Sequence, residues 1–217
     1  MTGHIRRFLD SPQEQTQESF RRLFGSGEFR ERVQGLAQQD REDAAVNEYA
    51  SSVKRVGGFT STCSAVVLHP ERDRTHFNLI YATRNPKGIE VFKDAEKKAM
   101  EAQEVARAAA HQRKRVSRTG QLDLLASKDL HDSTYYDSLR DRYLGKTRGR
   151  VLQALETKRR LLYDEAWNLA VSEPLSWESD LKQWVEEWKA EGRLSVEGMN
   201  PRQRVPHRNQ RNYLVWK

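Results

Sequence analysis

Apolar positions along the chain change their period repeatedly, and each change marks a new kind of element. Ser11-Pro12-Gln13-Glu14 reads as a helix start: a serine to cap, a proline suited to the first helical position, and a glutamate where a capping box wants it. Phe20, Leu23 and Phe24 then give an apolar face that stops at Gly25-Ser26-Gly27. A second helix is expected from Glu28 to Gln39, with Phe29, Val33 and Leu36 on one side. A third is expected from Arg41 to Val56, ended by Gly57-Gly58. The period then shifts to that of strands. Phe59–Leu68 and Thr75–Thr83 are rich in β-branched and aromatic residues and flank a polar, proline-bearing loop, which predicts a β-hairpin. Asn85-Pro86-Lys87-Gly88 reads as the turn that closes it.

Helical period returns at Ile89, with Val91, Phe92, Ala95 and Ala99 as a stripe, and fades toward Arg113-Lys114-Arg115. Residues 116–145 carry only short apolar pairs and read as a connector between a first region, 1–115, and a C-terminal domain, 146–217. In that domain Arg148–Lys158 and Leu162–Ser172 read as helices. Pro174 ends the second, and Ser176 is placed to cap a third. Leu181, Trp184, Val185 and Trp188 repeat at i, i+3, i+4 and i+7 on it. Arg193–Glu197 and Asn212–Trp216 then alternate as two short strands around a long polar segment. Three helices followed by a hairpin with an extended tip is the winged-helix order, a helix-turn-helix variant. The expected fold class is therefore α+β and mostly helical: N-terminal helices with a β-hairpin, a connector, and a C-terminal winged helix. The spacing of Trp184 and Trp188 marks them as core, whereas Trp177, at a helix start, is expected to be exposed.

Charge refines this picture. The chain has 217 residues and a formal net charge of +7, which favours polyanionic partners. Between Leu161 and Glu191 stand eight acids (Asp164, Glu165, Glu173, Glu178, Asp180, Glu186, Glu187 and Glu191) against Lys182 and Lys189 alone. From Gly198 to Lys217 there is no acid, and Arg202, Arg204, Arg208, Arg211 and Lys217 are joined by His207. An acidic recognition helix in a major groove would meet phosphate repulsion. The candidate contact residues are therefore those of the wing, Arg202, Arg204, His207, Arg208 and Arg211, for nucleic acid or a protein partner.

Catalytic constellations do not emerge. Gly25-Ser26-Gly27 lacks the third glycine and the preceding strand of a dinucleotide fingerprint, and the six histidines form no i, i+4 pair for zinc. Cys63, the sole cysteine, excludes an internal disulfide and fits a reducing cytoplasm; mid-strand, it reads as a buried structural thiol, with His76 on the paired strand as its nearest conceivable base. No catalytic, cofactor-binding or metal-binding residue is assigned. Neither a signal peptide nor a membrane-spanning run is present in the sequence.

Two segments carry a family resemblance. HFNLIYATRNPKGIEVFKDAEKKAM, residues 76–100, and PLSWESDLKQWVEEWKAEGRLSVEGMNPRQRVP, residues 174–206, resemble the distal part and the appended winged helix of the three-Cys-motif partner family (TcmP). The motif steps are Ala82-Thr83-Arg84, then Asn85-Pro86-Lys87-Gly88, then Val91-Phe92-Lys93. The resemblance implies a bacterial or phage-associated setting and a radical-SAM-like partner protein bearing the three-cysteine motif. It further implies that the hairpin is the remnant edge of a Rossmann-like, methyltransferase-like sheet, although only helices lie upstream of it here. The expectation is a non-catalytic accessory protein that acts through its winged helix in protein docking or nucleic-acid contact. The alternatives are a methyltransferase-like enzyme subunit completed by another chain, and a DNA-binding regulator.

Overall fold

The computed structural model describes residues 11, 13–24, 33, 35–119 and 134–217. The expected helix at 28–39 falls largely outside them. The fold is α+β and mostly helical, divided into two compact units, Met1–Asp132 and Ser133–Lys217. Among the described residues no helix is long and apolar enough to cross a membrane.

In the first unit, helix α1 (Glu14–Phe24) packs against α2 (Gln38–Gly57). Gly58 adopts a left-handed conformation (φ 60°), and the amides of Gly58 and Phe59 bond back to the carbonyls of Arg55 and Lys54. Glycine takes that conformation at no steric cost. Arg84 completes the cap, donating to the carbonyls of Gly57 (2.7 Å) and Gly58 (3.2 Å), where a cation also meets the negative end of the helix dipole. Strands β1 (Ser61–Leu68) and β2 (Thr75–Thr83) form the predicted antiparallel hairpin. β1 is the more deeply buried, with Cys63, Ala65, Val66 and Leu68 in the core beside Ala45, Val46 and Ala50 of α2.

Helix α3 (Pro86–Thr119) begins inside the segment read as a closing turn. Asn85 is the reason: its side-chain oxygen accepts from the Lys87 amide (3.0 Å), capping a helix whose first residue is a proline that has no amide to lose. The helix lays Ile89, Phe92 and Met100 on the hairpin, with Phe92 stacked on Tyr81 at 5.0 Å. Gln103 accepts the Leu68 amide at 2.7 Å.

The second unit opens with α4 (Thr134–Lys158). Residues 134–145, assigned from sequence to the connector, are its first half, and residues 116–119 are the end of α3. Leu139, Tyr143, Thr147, Val151 and Leu155 recur every four residues and are all buried, a stripe in which a tyrosine and a threonine stand where aliphatic residues were sought. Arg159, left-handed at φ 58°, turns the chain into β3 (Arg160–Leu162), followed by α5 (Tyr163–Ser172), α6 (Glu178–Ala190), β4 (Leu194–Glu197) and β5 (Tyr213–Trp216). The expected two-stranded wing is thus a three-stranded antiparallel sheet in the order β3-β5-β4. Helix, strand, helix, helix, then two wing strands, with the first strand paired to the last, is the winged-helix topology. Its core is aromatic: Tyr163, Trp167, Trp184 and Trp188 are buried, and Trp188 meets Trp216 edge to face at 5.6 Å.

Ser176 does not cap α6. Trp177 is the boundary residue, and its amide donates to the Asp180 carboxylate at 2.8 Å. Trp177 is half-buried rather than exposed, because Arg140 of α4 lies over its ring at 4.6 Å.

Candidate functional site in the wing

Residues 198–212 join β4 to β5 and make up the wing. Their backbone is held from inside by one side chain. Asn212 is fully buried; its amide nitrogen donates to the Gly198 carbonyl (2.8 Å), and its oxygen accepts from the Gln203 side chain (2.6 Å) and the His207 amide (2.8 Å). Gln203 in turn donates to the Val205 carbonyl (2.8 Å) and accepts from the Asn200 amide (3.2 Å). Gly198 stands at φ 75°, and a Cβ there would meet the Arg211 carbonyl at 2.6 Å. The two ends of the wing therefore touch, and only glycine permits it. A second fastening ties the wing to α5: the Asn209 amide donates to the Asp164 carboxylate at 3.2 Å.

The five residues picked out from sequence separate on this frame. Arg202, Arg204, His207 and Arg211 are exposed. Among the described residues, none of Arg202, Arg204 and Arg211 has a carboxylate within ion-pair range. Arg208 is different. Its side chain is 10% exposed, its guanidinium lies 3.7 Å from the Trp167 ring centre, and it approaches Asp164 at 3.7 Å. It belongs to the packing of wing against helix, not to the outer surface.

The charge count along α5 and α6 changes meaning in three dimensions. Arg140 binds Asp180 (2.8 Å), Arg148 binds Glu187 (2.8 Å), Arg150 binds the buried Glu173, and Lys158 binds Glu165 (2.6 Å). Lys182 binds Glu178 (2.9 Å), Arg193 binds Glu191 (3.2 Å), and Arg208 approaches Asp164. Of the eight acids, Glu186 alone has no cationic partner among the described residues. Most of the neutralising cations come from α4, which lies outside the stretch that was counted. Glu178 is further tied to core groups, accepting from Trp167 (3.2 Å) and from the Tyr163 hydroxyl (3.3 Å), whose pKa is raised by burial and then by Glu178 itself. The exposed positions of α6 include Ser179, Gln183, Glu186 and Lys189, a polar face of mixed charge.

The network centred on Asn212 was missed from sequence. Its signal is slight: a glycine and an asparagine bracketing a polar loop.

Elsewhere, Cys63 pairs in register with Tyr81, not with His76, which sits at the hairpin tip against His69 at 5.5 Å. Burial pushes the Cys63 thiol up to about 12, with Lys93 lowering it and Glu96 raising it. A thiol so protonated is no nucleophile at neutral pH. Lys93 and Glu96 form a buried pair at 2.6 Å, and Lys93 also donates to the carbonyl of Ser64 on β1. Among the described residues no group of three or more His, Cys, Asp or Glu side chains is placed to hold a metal ion.

Comparison of the chain with protein-family models, with curated proteins and with solved structures finds no match in any of the three.

Proposed function

We propose that the chain is a non-catalytic accessory protein whose C-terminal winged helix binds nucleic acid through its wing. The observation that carries this reading is the pairing pattern of the second unit. Seven of the eight acids between Leu161 and Glu191 are occupied by internal cations, while Arg202, Arg204 and Arg211 stand exposed, with no carboxylate in range among the described residues, on a loop fastened by Asn212. Unpaired arginines on a pre-ordered loop meet phosphates without first breaking internal ion pairs, and they lose little conformational freedom of the backbone on binding. Of the four acids of α6, Asp180 and Glu187 are paired by Arg140 and Arg148 of α4 and Glu178 by Lys182, which reduces the repulsion expected of this helix and favours nucleic acid over a purely protein-docking role.

The accessory role, alongside a radical-SAM-like protein with the three-cysteine motif, rests on the resemblance at residues 76–100 and 174–206. Its test is separate: tight binding of S-adenosylmethionine by the isolated chain would sink it in favour of a methyltransferase-like subunit. For the wing, fluorescence anisotropy with a labelled DNA duplex is the measurement. Arg202→Ala/Arg204→Ala/Arg211→Ala is expected to weaken binding at least about tenfold, and to lower the slope of log K against log salt by roughly 2–3, at ~0.9 per phosphate contact. Unchanged affinity and slope would remove the nucleic-acid reading.

A further inference from the structure

The first unit carries a second basic surface, at the end of the hairpin where β1 turns into β2. The tip loop, residues 69–74, contains Arg72 and Arg74, both exposed. It is bolted to α3 by one residue. Arg107, itself buried, donates to the His69 carbonyl, to the Arg72 carbonyl (3.0 Å) and to the Asp73 carboxylate (2.6 Å), and it lies 3.7 Å from Glu104. One arginine thus occupies two of the local carboxylates and fixes the backbone that bears Arg72 and Arg74.

Beyond Arg107, α3 overruns the tip. Residues 105–119 contain no carboxylate, and Arg113, Lys114, Arg115 and Arg118 are exposed. Lys114 and Arg118, at spacings of seven and eleven from Arg107, fall on the same side of the helix as it does. Among the described residues, Arg72, Arg74, Arg113, Lys114 and Arg118 have no carboxylate in ion-pair range. The local potential registers on His69. Its pKa is lowered by loss of solvent around the ring first, and then by Arg74, Arg72 and His76, with Glu71 of the tip loop opposing the shift.

We infer that the hairpin tip and the distal part of α3, through Arg72, Arg74, Lys114 and Arg118, form a second contact surface for the phosphate backbone of duplex nucleic acid. From Arg107 to Arg118 the helix rises roughly 16 Å, about five base-pair steps of a duplex, so charges at both ends of this stretch reach successive phosphates. An anionic membrane is the less suitable partner. Surface-bound helices anchor through large apolar side chains, and the exposed large apolar residues among the described residues of this unit (Leu36, Val56, Leu79, Val91 and Val105) include none in the tip loop or between Arg107 and Arg118. The inference takes its ligand class from the nucleic-acid reading of the wing, but it concerns other residues in the other unit.

The test uses the full chain and a short fluorescein-labelled DNA duplex of arbitrary sequence, titrated over a range of KCl concentrations. Arg72→Ala/Arg74→Ala/Lys114→Ala/Arg118→Ala is expected to lower the salt slope by about 3–4 and affinity at low salt by at least about tenfold. Arg72→Lys/Arg74→Lys/Lys114→Arg/Arg118→Lys, which keeps the charge, should retain the wild-type slope. The inference is overturned if the alanine variant binds and responds to salt as wild type does while the wing variant is impaired, an outcome that leaves the wing reading standing. It is equally overturned if the charge-preserving variant loses as much as the alanine variant, since the role is then structural. Phosphatidylserine vesicles that bind wild type more tightly than the duplex does, with that binding lost in the alanine variant, would assign the surface to membranes instead. If neither alanine variant alters duplex binding, both readings fall together.

Discussion

At the scale of single residues, Asn212 holds the wing. Its side chain, itself fully buried, satisfies a carbonyl at one end of the loop and an amide and a glutamine within it. Asn212→Ala strands these groups and is expected to cost about 2–3 kcal/mol, a fall in melting temperature on the order of 10 °C, seen by thermal circular dichroism. Arg208 shows how misleading a basic residue in a basic segment can be. Because it covers Trp167 and faces Asp164, Arg208→Ala should destabilise the second unit by about 1–2 kcal/mol and alter tryptophan emission, yet leave the salt dependence of DNA binding in place. Cys63 supplies a pH test. Its pKa rises from the ordinary value of 9.0 to about 12 on folding, so the folded state holds the proton more tightly. That contribution to stability is present in full below about 9 and is lost as pH climbs toward 12. Native protein at pH 8 should resist maleimide and react only after unfolding; rapid labelling of the native state would contradict the buried placement.

Among the elements, α4 departs furthest from the sequence reading and explains the most. Its first half went unrecognised because the buried stripe runs from Leu139 through Tyr143 and Thr147 before it reaches another aliphatic residue, and because Gly145 falls in it. The Thr147 hydroxyl donates to the Tyr143 carbonyl at 2.7 Å, so even the polar member of the stripe is satisfied internally. Gly145 and Gly149 are exposed, with open space where a Cβ would stand. Gly145→Ala and Gly149→Ala should therefore each stabilise the unit by about 0.5–1 kcal/mol in a denaturant titration. Destabilisation by either would mean that this stretch is not a regular helix. The hairpin was legible almost to the residue, since Thr75–Thr83 is a β-branched and aromatic run between polar breaks. Strand β3 was not, because three residues between two helices show no alternation to read. Its presence depends on β5, some fifty residues later, which single-sequence periodicity does not see.

For the molecule as a whole, net charge said less than the arrangement of charge. The basic wing was readable from the run of arginines after Gly198, but the neutrality of α5 and α6 was not, because the cations that neutralise them come mostly from α4. Where the sequence shows an acidic helix beside a basic wing, the folded unit pairs seven of the eight acids between Leu161 and Glu191 and leaves Arg202, Arg204 and Arg211 of the wing exposed, with no carboxylate in range among the described residues. The account's central claim is that these arginines bind phosphate, and salt-dependent anisotropy tests it most directly. Wild-type protein should bind a labelled duplex with a steep negative dependence on salt. The Arg202→Ala/Arg204→Ala/Arg211→Ala variant, melting as wild type does, should show a slope smaller by roughly 2–3. A wild-type chain that binds no duplex at low salt, or a variant whose slope matches wild type, would contradict it.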